Sequence, residues 1–203
     1  MKMAAGNQLP VRLCHCRNCA KVSVCLFAGL CFVFFAGGVM AQDVIKLGVP
    51  GAHSGDLASY GLPSAHAARL VVDDINAQGG ILGRKVVILQ EDDQCKPEVA
   101  ANVGTKLVSE KVDAVMGHIC SGATKAAMNI YKDAGILCMS PSATNVDLTK
   151  SGDYPNFFRT ISPDDAQAEL QVRFALDTLK VSKIAVIHDK GDYGKGIAEF
   201  AQA

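Results

Sequence analysis

Residues 112–144 read VDAVMGHICSGATKAAMNIYKDAGILCMSPSAT, and the fold follows from them. The apolar run 112–119 is too short for a globular helix and suits a buried strand. Cys120, Ser121 and Gly122 follow, small residues that can open a helix, with Ser121 placed to cap it. Ala127, Ile130 and Tyr131 fall on one helical face, and Gly135 stops the helix. A second apolar run, 136–140, leads into the loop Pro141-Ser142-Ala143-Thr144. This spacing predicts a β-α-β unit whose strands both end in small hydroxyl residues. A strand end feeding a helix N-terminus is a place to hold a small anion such as a carboxylate.

The same alternation extends outward on both sides. A strand over 44–50 precedes the polar loop AHSGDLASYG, which holds Ser54 and Tyr60. An amphipathic helix is expected over 63–78, with Ala67, Leu70, Val71, Asp74 and Ile75 along it. Gly79 and Gly80 end it, and a strand over 85–90 leads into Glu91-Asp92-Asp93 and Cys95. Pro97 opens a helix that carries Val99, Val103, Leu107 and Val108 on one side. After residue 144 come a loop to Tyr154, a short strand over 156–161, and a helix start at Ser162-Pro163-Asp164-Asp165. That helix is expected to reach about Lys180 with Leu170, Phe174 and Leu176 on or near its apolar side. KIAVI, 183–187, reads as a further strand, HDKGDYGKG as its exit loop, and 197–203 as the start of another helix. Repeated β-α alternation predicts an α/β fold, a doubly wound parallel sheet with helices on both faces. A strand as apolar as KIAVI needs neighbours, and few residues follow it, so the chain reads as the N-terminal part of a longer protein.

Composition bounds the function. Of 203 residues 49% are hydrophobic and 20% charged, which supports a packed core. The net charge is zero, but residues 1–41 hold Lys2, Arg12, Arg17 and Lys21 and no acid. The remainder therefore has sixteen bases against twenty acids, near −4, which argues against a nucleic-acid partner. An apolar run over 22–40 ending in Val39-Met40-Ala41 reads as a secretory signal cleaved after Ala41, with an uncleaved anchor as the rival reading. The leader also holds Cys14, Cys16, Cys19, Cys25 and Cys31; its CHCRNC run lacks the paired spacing of a metal site. Three cysteines remain beyond it. Cys95 and Cys120 both follow strand-like runs and so share a sheet edge, where a link across about 25 residues would contribute ~3–4 kcal/mol. Cys138 lies within an apolar strand and reads as a buried small hydrophobe.

Ligands of parallel sheets sit beyond the carboxyl ends of the strands. There the chain places Ser54 and Tyr60, then the acidic EDD run, Ser121, Ser142 with Thr144, and finally His188, Asp189 and Tyr193. This set is rich in hydroxyls and poor in nucleophile–base pairs, and no GxSxG, HExxH, Walker or GxGxxG spacing occurs. Ser121, His118 and Asp92 could be drawn as a triad, but nothing fixes their placement. His118 reads instead as a strand-end residue with a backbone partner, and EDD as a solvated loop rather than a metal site.

The segments IKLGVPGAHSGDLASYG, DDINAQGGILGRKV, EDDQCKPEVA, GHICSGATKAAMNIYKDAGIL, SPSAT, FFRT and IAVIHDKGDYGKG run in order through residues 43–203. In them the chain resembles the leucine/isoleucine/valine-binding proteins that feed ABC importers, of the type I periplasmic binding fold. The resemblance implies a Cys95–Cys120 disulfide and a ligand set of Tyr60, Ser121, Ser142, Ala143, Thr144 and Tyr193. Ser121 and Thr144 would hold the ligand carboxylate, the Ser142 carbonyl its ammonium, and Tyr60 and Tyr193 would close on its side chain. Ser142 stands where these binders often have Ala, and Gly122-Ala123 where some have hydroxyls, which leaves aliphatic amino acids, amides and related solutes open.

Beyond the signal peptide read over 1–41, the resemblance implies a first lobe over 42–161 and the start of a second over 162–203. The acid that meets the ammonium would lie beyond residue 203. The implied protein is periplasmic, not an enzyme, without metal or cofactor, and its partners are a small amino acid and a membrane permease. A receptor's ligand-sensing domain shares this fold and is the alternative; an exported hydrolase lacks its nucleophile elbow here. One lobe meets only half of a zwitterion, so the 203-residue chain is expected to bind weakly or not at all, and a full-length protein tightly by closing two lobes.

Overall fold

A computed structural model describes residues 44–203. The leader, its cysteines and the cleavage position lie outside them. Five strands form one parallel sheet: β1 (Ile45–Gly51), β2 (Val86–Asp92), β3 (Ala114–Met116), β4 (Leu137–Ser140) and β5 (Phe157–Arg159). Their order is β2-β1-β3-β4-β5, so the winding reverses between β1 and β3. A crevice opens at such a reversal because the two connections leave to opposite faces. The helices are α1 (Ala58–Ala77), α2 (Pro97–Ser109), α3 (Ser121–Asp133), α4 (Asp147–Lys150), α5 (Asp164–Arg173) and α6 (Asp192–Gln202).

The main core lies where α2 and α3 meet the sheet, with Leu107, Val115, Met128, Tyr131, Cys138 and Phe157 in one cluster. A smaller cluster on the opposite face joins Val49 to Ala65 and Ala68 of α1. Alternation of side chains along β1 separates them: Val49 faces α1, whereas Gly48 admits Leu107 from α2, whose Cδ1 would lie 3.1 Å from a Cβ there. Helix α2 begins on Pro97 with Glu98 in its first turn, and its inner face is Ala100, Val103 and Leu107.

Several expectations are corrected. Helix α1 starts at Ala58, so Tyr60 stands in its first turn rather than in a loop, and Pro63 lies inside the helix. Its buried residues are Gly61, Ala65, Ala68 and Val72, while Leu70 and Val71 face solvent. Small residues won the inner face because the helix lies so close to β1 that a Cβ on Gly61 would sit 1.9 Å from the Ala52 oxygen. Of the run 112–119 only Ala114–Met116 joins the ladder. The chain then bends at Gly117, whose φ of 153° and contact with Pro50 leave no room for a side chain.

Helix α5 ends at Arg173 and continues as a π-helical turn, Phe174–Thr178, instead of reaching Lys180 as an α-helix. Leu170, Phe174 and Leu176 are exposed, not buried. KIAVI forms no strand, and Ile187 is 92% exposed. Strand geometry needs a partner ladder, and none of the described residues pairs with this segment.

Candidate functional site

The site grows from the ends of β3 and β4. Beyond β3, His118 is fully buried with its Nδ1 2.5 Å from Asp93 Oδ2 and its Nε2 2.9 Å from the Tyr131 hydroxyl. Asp93 Oδ1 also accepts from the Cys95 N–H at 2.8 Å, and Cys95 is disulfide-bonded to Cys120 with Cα atoms 5.4 Å apart. The histidine's ring thus meets side chains, not the backbone as its sequence position implied. Asp93 of the EDD run is likewise buried, because it faces the ring across the β2–β3 ends. Burial raises the Tyr131 phenol's pKa well above its ordinary value, so it stays a neutral hydroxyl. These contacts fix the start of α3.

Ser121 begins that helix but does not cap it. Cys120 holds the cap position, and the Ser121 Oγ instead accepts from the N–H groups of Thr144 at 3.2 Å and Asn145 at 3.1 Å. A backbone bending back toward the β4 exit offers these amides, and they outcompete the helix's own. Ser121, at 2% exposure, and Thr144, at 3%, are therefore in direct contact.

Two further side chains hold the loop between them. Ser140 Oγ donates to the His118 carbonyl at 2.5 Å and accepts from the N–H groups of Ala143 at 2.9 Å and Ser142 at 3.2 Å. Arg159 Nη1 donates to the carbonyls of Asn145 at 2.9 Å and Ala143 at 3.3 Å, and Nη2 bonds the Thr149 hydroxyl. The backbone groups of Ala143 are thereby both engaged, and its side chain belongs to the core.

Sequence reasoning missed Asp164. It opens α5, its N–H donates to the Thr144 carbonyl at 3.0 Å, and its side chain is sealed from solvent. Neither carboxylate oxygen has a hydrogen-bond partner, and neither does the Thr144 hydroxyl. Burial raises the Asp164 pKa above the usual carboxylate range, opposed by the nearby Thr144 hydroxyl and the Arg159 guanidinium. Gly196 of α6 supplies part of its cover: a Cβ there would lie 3.0 Å from Oδ2. An acid in the first turn of a helix reads as a dipole partner, so nothing in the sequence separated this one from Asp165, which pairs with Lys150.

The structure brings Ser121, Ser142, Ala143 and Thr144 together. Tyr60 stands 69% exposed on α1, and Tyr193 is exposed on α6, its hydroxyl accepting from Gln167 Nε2 at 3.2 Å. Asp192 of α6 lies at the mouth of α3, 2.8 Å from where a Gly122 Cβ would be. Among the described residues no acid, histidine and cysteine cluster could hold a metal.

A buried hydroxyl pair, a helix start and a buried carboxylate thus meet at the strand ends. A family model described as periplasmic binding protein matches residues 44–203. The chain belongs to that family. Among periplasmic binding proteins it is 42% identical over 177 residues to a leucine-specific-binding protein of Salmonella typhimurium, covering 87% of this chain and 47% of that one. A Leu/Ile/Val-binding protein of Escherichia coli is 41% identical, with 87% and 48% covered. A branched-chain amino acid transporter substrate-binding protein of Streptococcus pneumoniae, solved with isoleucine, is 38% identical with a TM-score of 0.73, covering 79% of this chain and 46% of that one. The chain thus spans about half the length of these periplasmic binding proteins.

Proposed function

We propose that the chain supplies the amino-acid-receiving lobe of a solute-binding protein that captures a leucine-like amino acid for an ABC importer. The observation that carries this reading is the meeting of Ser121, Thr144 and Asp164. A free amino acid is a zwitterion, and burying it requires donors for its carboxylate and acceptors for its ammonium. The hydroxyls of Ser121 and Thr144 and the N-terminal amides of α3 serve the carboxylate. Asp164, an acceptor without a donor, and the Ser142 carbonyl serve the ammonium. This assigns a counter-charge within residue 203, where the resemblance implied one only beyond it. Names of relatives that bind leucine, isoleucine and valine support an aliphatic ligand.

In this reading residues 42–161 are the first lobe and 162–203 begin the second, Tyr60 and Tyr193 reach the ligand when the lobes close, and residues 1–41 direct export to the periplasm. Amide-detected NMR titration with leucine tests the receptacle. Shifts confined to Ser121, Ser142, Thr144 and Asp164 are expected, weakened about tenfold or more by S121A or T144A. D164N should weaken leucine but spare 4-methylpentanoate, which lacks the amine. Leucine shifts that leave these four residues unmoved would sink the assignment.

A further inference from the structure

We propose that Ser140, buried out of reach of any ligand, is the positioning residue that holds the Ser142–Thr144 backbone in its receiving geometry. The inference rests on the amino-acid reading above. A serine hydroxyl has one proton and two lone pairs. Ser140 uses all three, donating to His118 O and accepting from Ser142 N and Ala143 N. One atom thereby ties the exit of β3 to the exit of β4, beside the bonds that Ser121 Oγ accepts from Thr144 and Asn145. The carbonyl it grips is itself a fixed point, because the His118 ring is held between Asp93 and Tyr131.

The other hydroxyls of the site do not have this freedom from the ligand. Ser121 must hold Thr144 and Asn145 and also face a carboxylate, and Thr144 moves with the loop that carries it. When a ligand draws on Ser121, Ser140 and Arg159 are what keep the loop in place. Arg159 grips carbonyls at 143 and 145, on either side of Thr144, whereas Ser140 alone fixes the amide of Ser142, whose carbonyl is offered to the ammonium. Recognition by several short hydrogen bonds tolerates displacements well below about 1 Å.

The test compares S140A, S140T and the parent 203-residue chain by amide hydrogen exchange and by NMR titration with leucine. S140A is expected to speed exchange at Ser142 and Ala143 about tenfold or more while Thr144 and Asn145, bonded to Ser121, and the amides of β1 stay protected. Leucine affinity should fall about tenfold, and S140T, which keeps the hydroxyl, should restore both. Unchanged exchange at Ser142 and Ala143, or affinity within about twofold of the parent, overturns the proposal. So does loss of protection throughout the sheet, which makes Ser140 a general stability residue. If the parent takes up no leucine, one lobe does not suffice for capture, and the exchange pattern alone decides whether Ser140 positions the loop.

Discussion

Asp164 shows how one side chain can be opposed by its surroundings and retained. Its pKa is raised by burial, so the folded state binds a proton more readily than the unfolded chain does. A carboxyl raised in this way favours folding below the unfolded value, and that contribution is lost as pH rises through the folded value. At neutral pH the ionised group therefore works against stability. D164N is expected to raise the melting temperature near pH 7, with the gain fading on acidification below about pH 4, where both forms are neutral. Thermal unfolding followed by circular dichroism at both ends of that range checks it; a constant difference across pH would contradict the assignment. An arriving ammonium supplies the missing donor, so leucine affinity should fall as pH is lowered into the range where free Asp164 takes up its proton. Calorimetric titration between about pH 8 and pH 4 reads that decline. The sequence did not distinguish this acid from its neighbour Asp165, since both occupy the first turn of α5 and only packing against Thr144 and Gly196 buries one of them.

Among elements, the β3–α3 connection is held from two sides. Behind it lies the Asp93–His118–Tyr131 chain, and across its mouth the Cys95–Cys120 bridge. Removing the ring by H118A leaves a buried carboxylate with half its partners gone, and should cost about 3 kcal/mol or more. Y131F removes a single hydrogen bond and should cost only about 1 kcal/mol. Urea unfolding of both variants tests the ratio, and equal losses would mean the tyrosine's ring packing dominates. Replacing Cys95 and Cys120 together by serine frees a 25-residue loop in the unfolded state and should cost about 2–4 kcal/mol. Cys138 should stay unreactive toward thiol reagents in the folded protein, because burial pushes its pKa up to about 12 and its Sγ is bonded to the Gly117 carbonyl. The helices with buried inner faces were legible from periodicity, α2 above all. Helix α1 was not, since its contact face is made of Gly and Ala, which carry little hydrophobic signal, while Leu70 and Val71 drew the reading to the wrong side.

At the scale of the whole molecule, the apolar surface left bare among the described residues includes two stretches. Leu137, Met139 and Phe158 face solvent on adjacent strands β4 and β5, and Leu170, Phe174, Ile184 and Ile187 do so along the last third of the chain. Patches of this kind bind apolar dyes, so the chain should enhance anilinonaphthalene sulfonate fluorescence while retaining a cooperative unfolding transition. A chain extended with the remaining half of a relative should lose that enhancement; persistence would mean the bare strands are not sites of intramolecular cover. The order of β1 to β5 and of α1, α2 and α3, and the hydroxyls at the strand ends, were determined by the sequence itself, because hydrophobic period, turn residues and residue chemistry are local properties. Tertiary structure alone decided that Ser121 grips the loop instead of its own helix, that Asp93 and Asp164 are buried while Asp165 is not, and that KIAVI stays unpaired. Each of these depends on which distant backbone comes within hydrogen-bond reach, and short-range pattern holds no record of that.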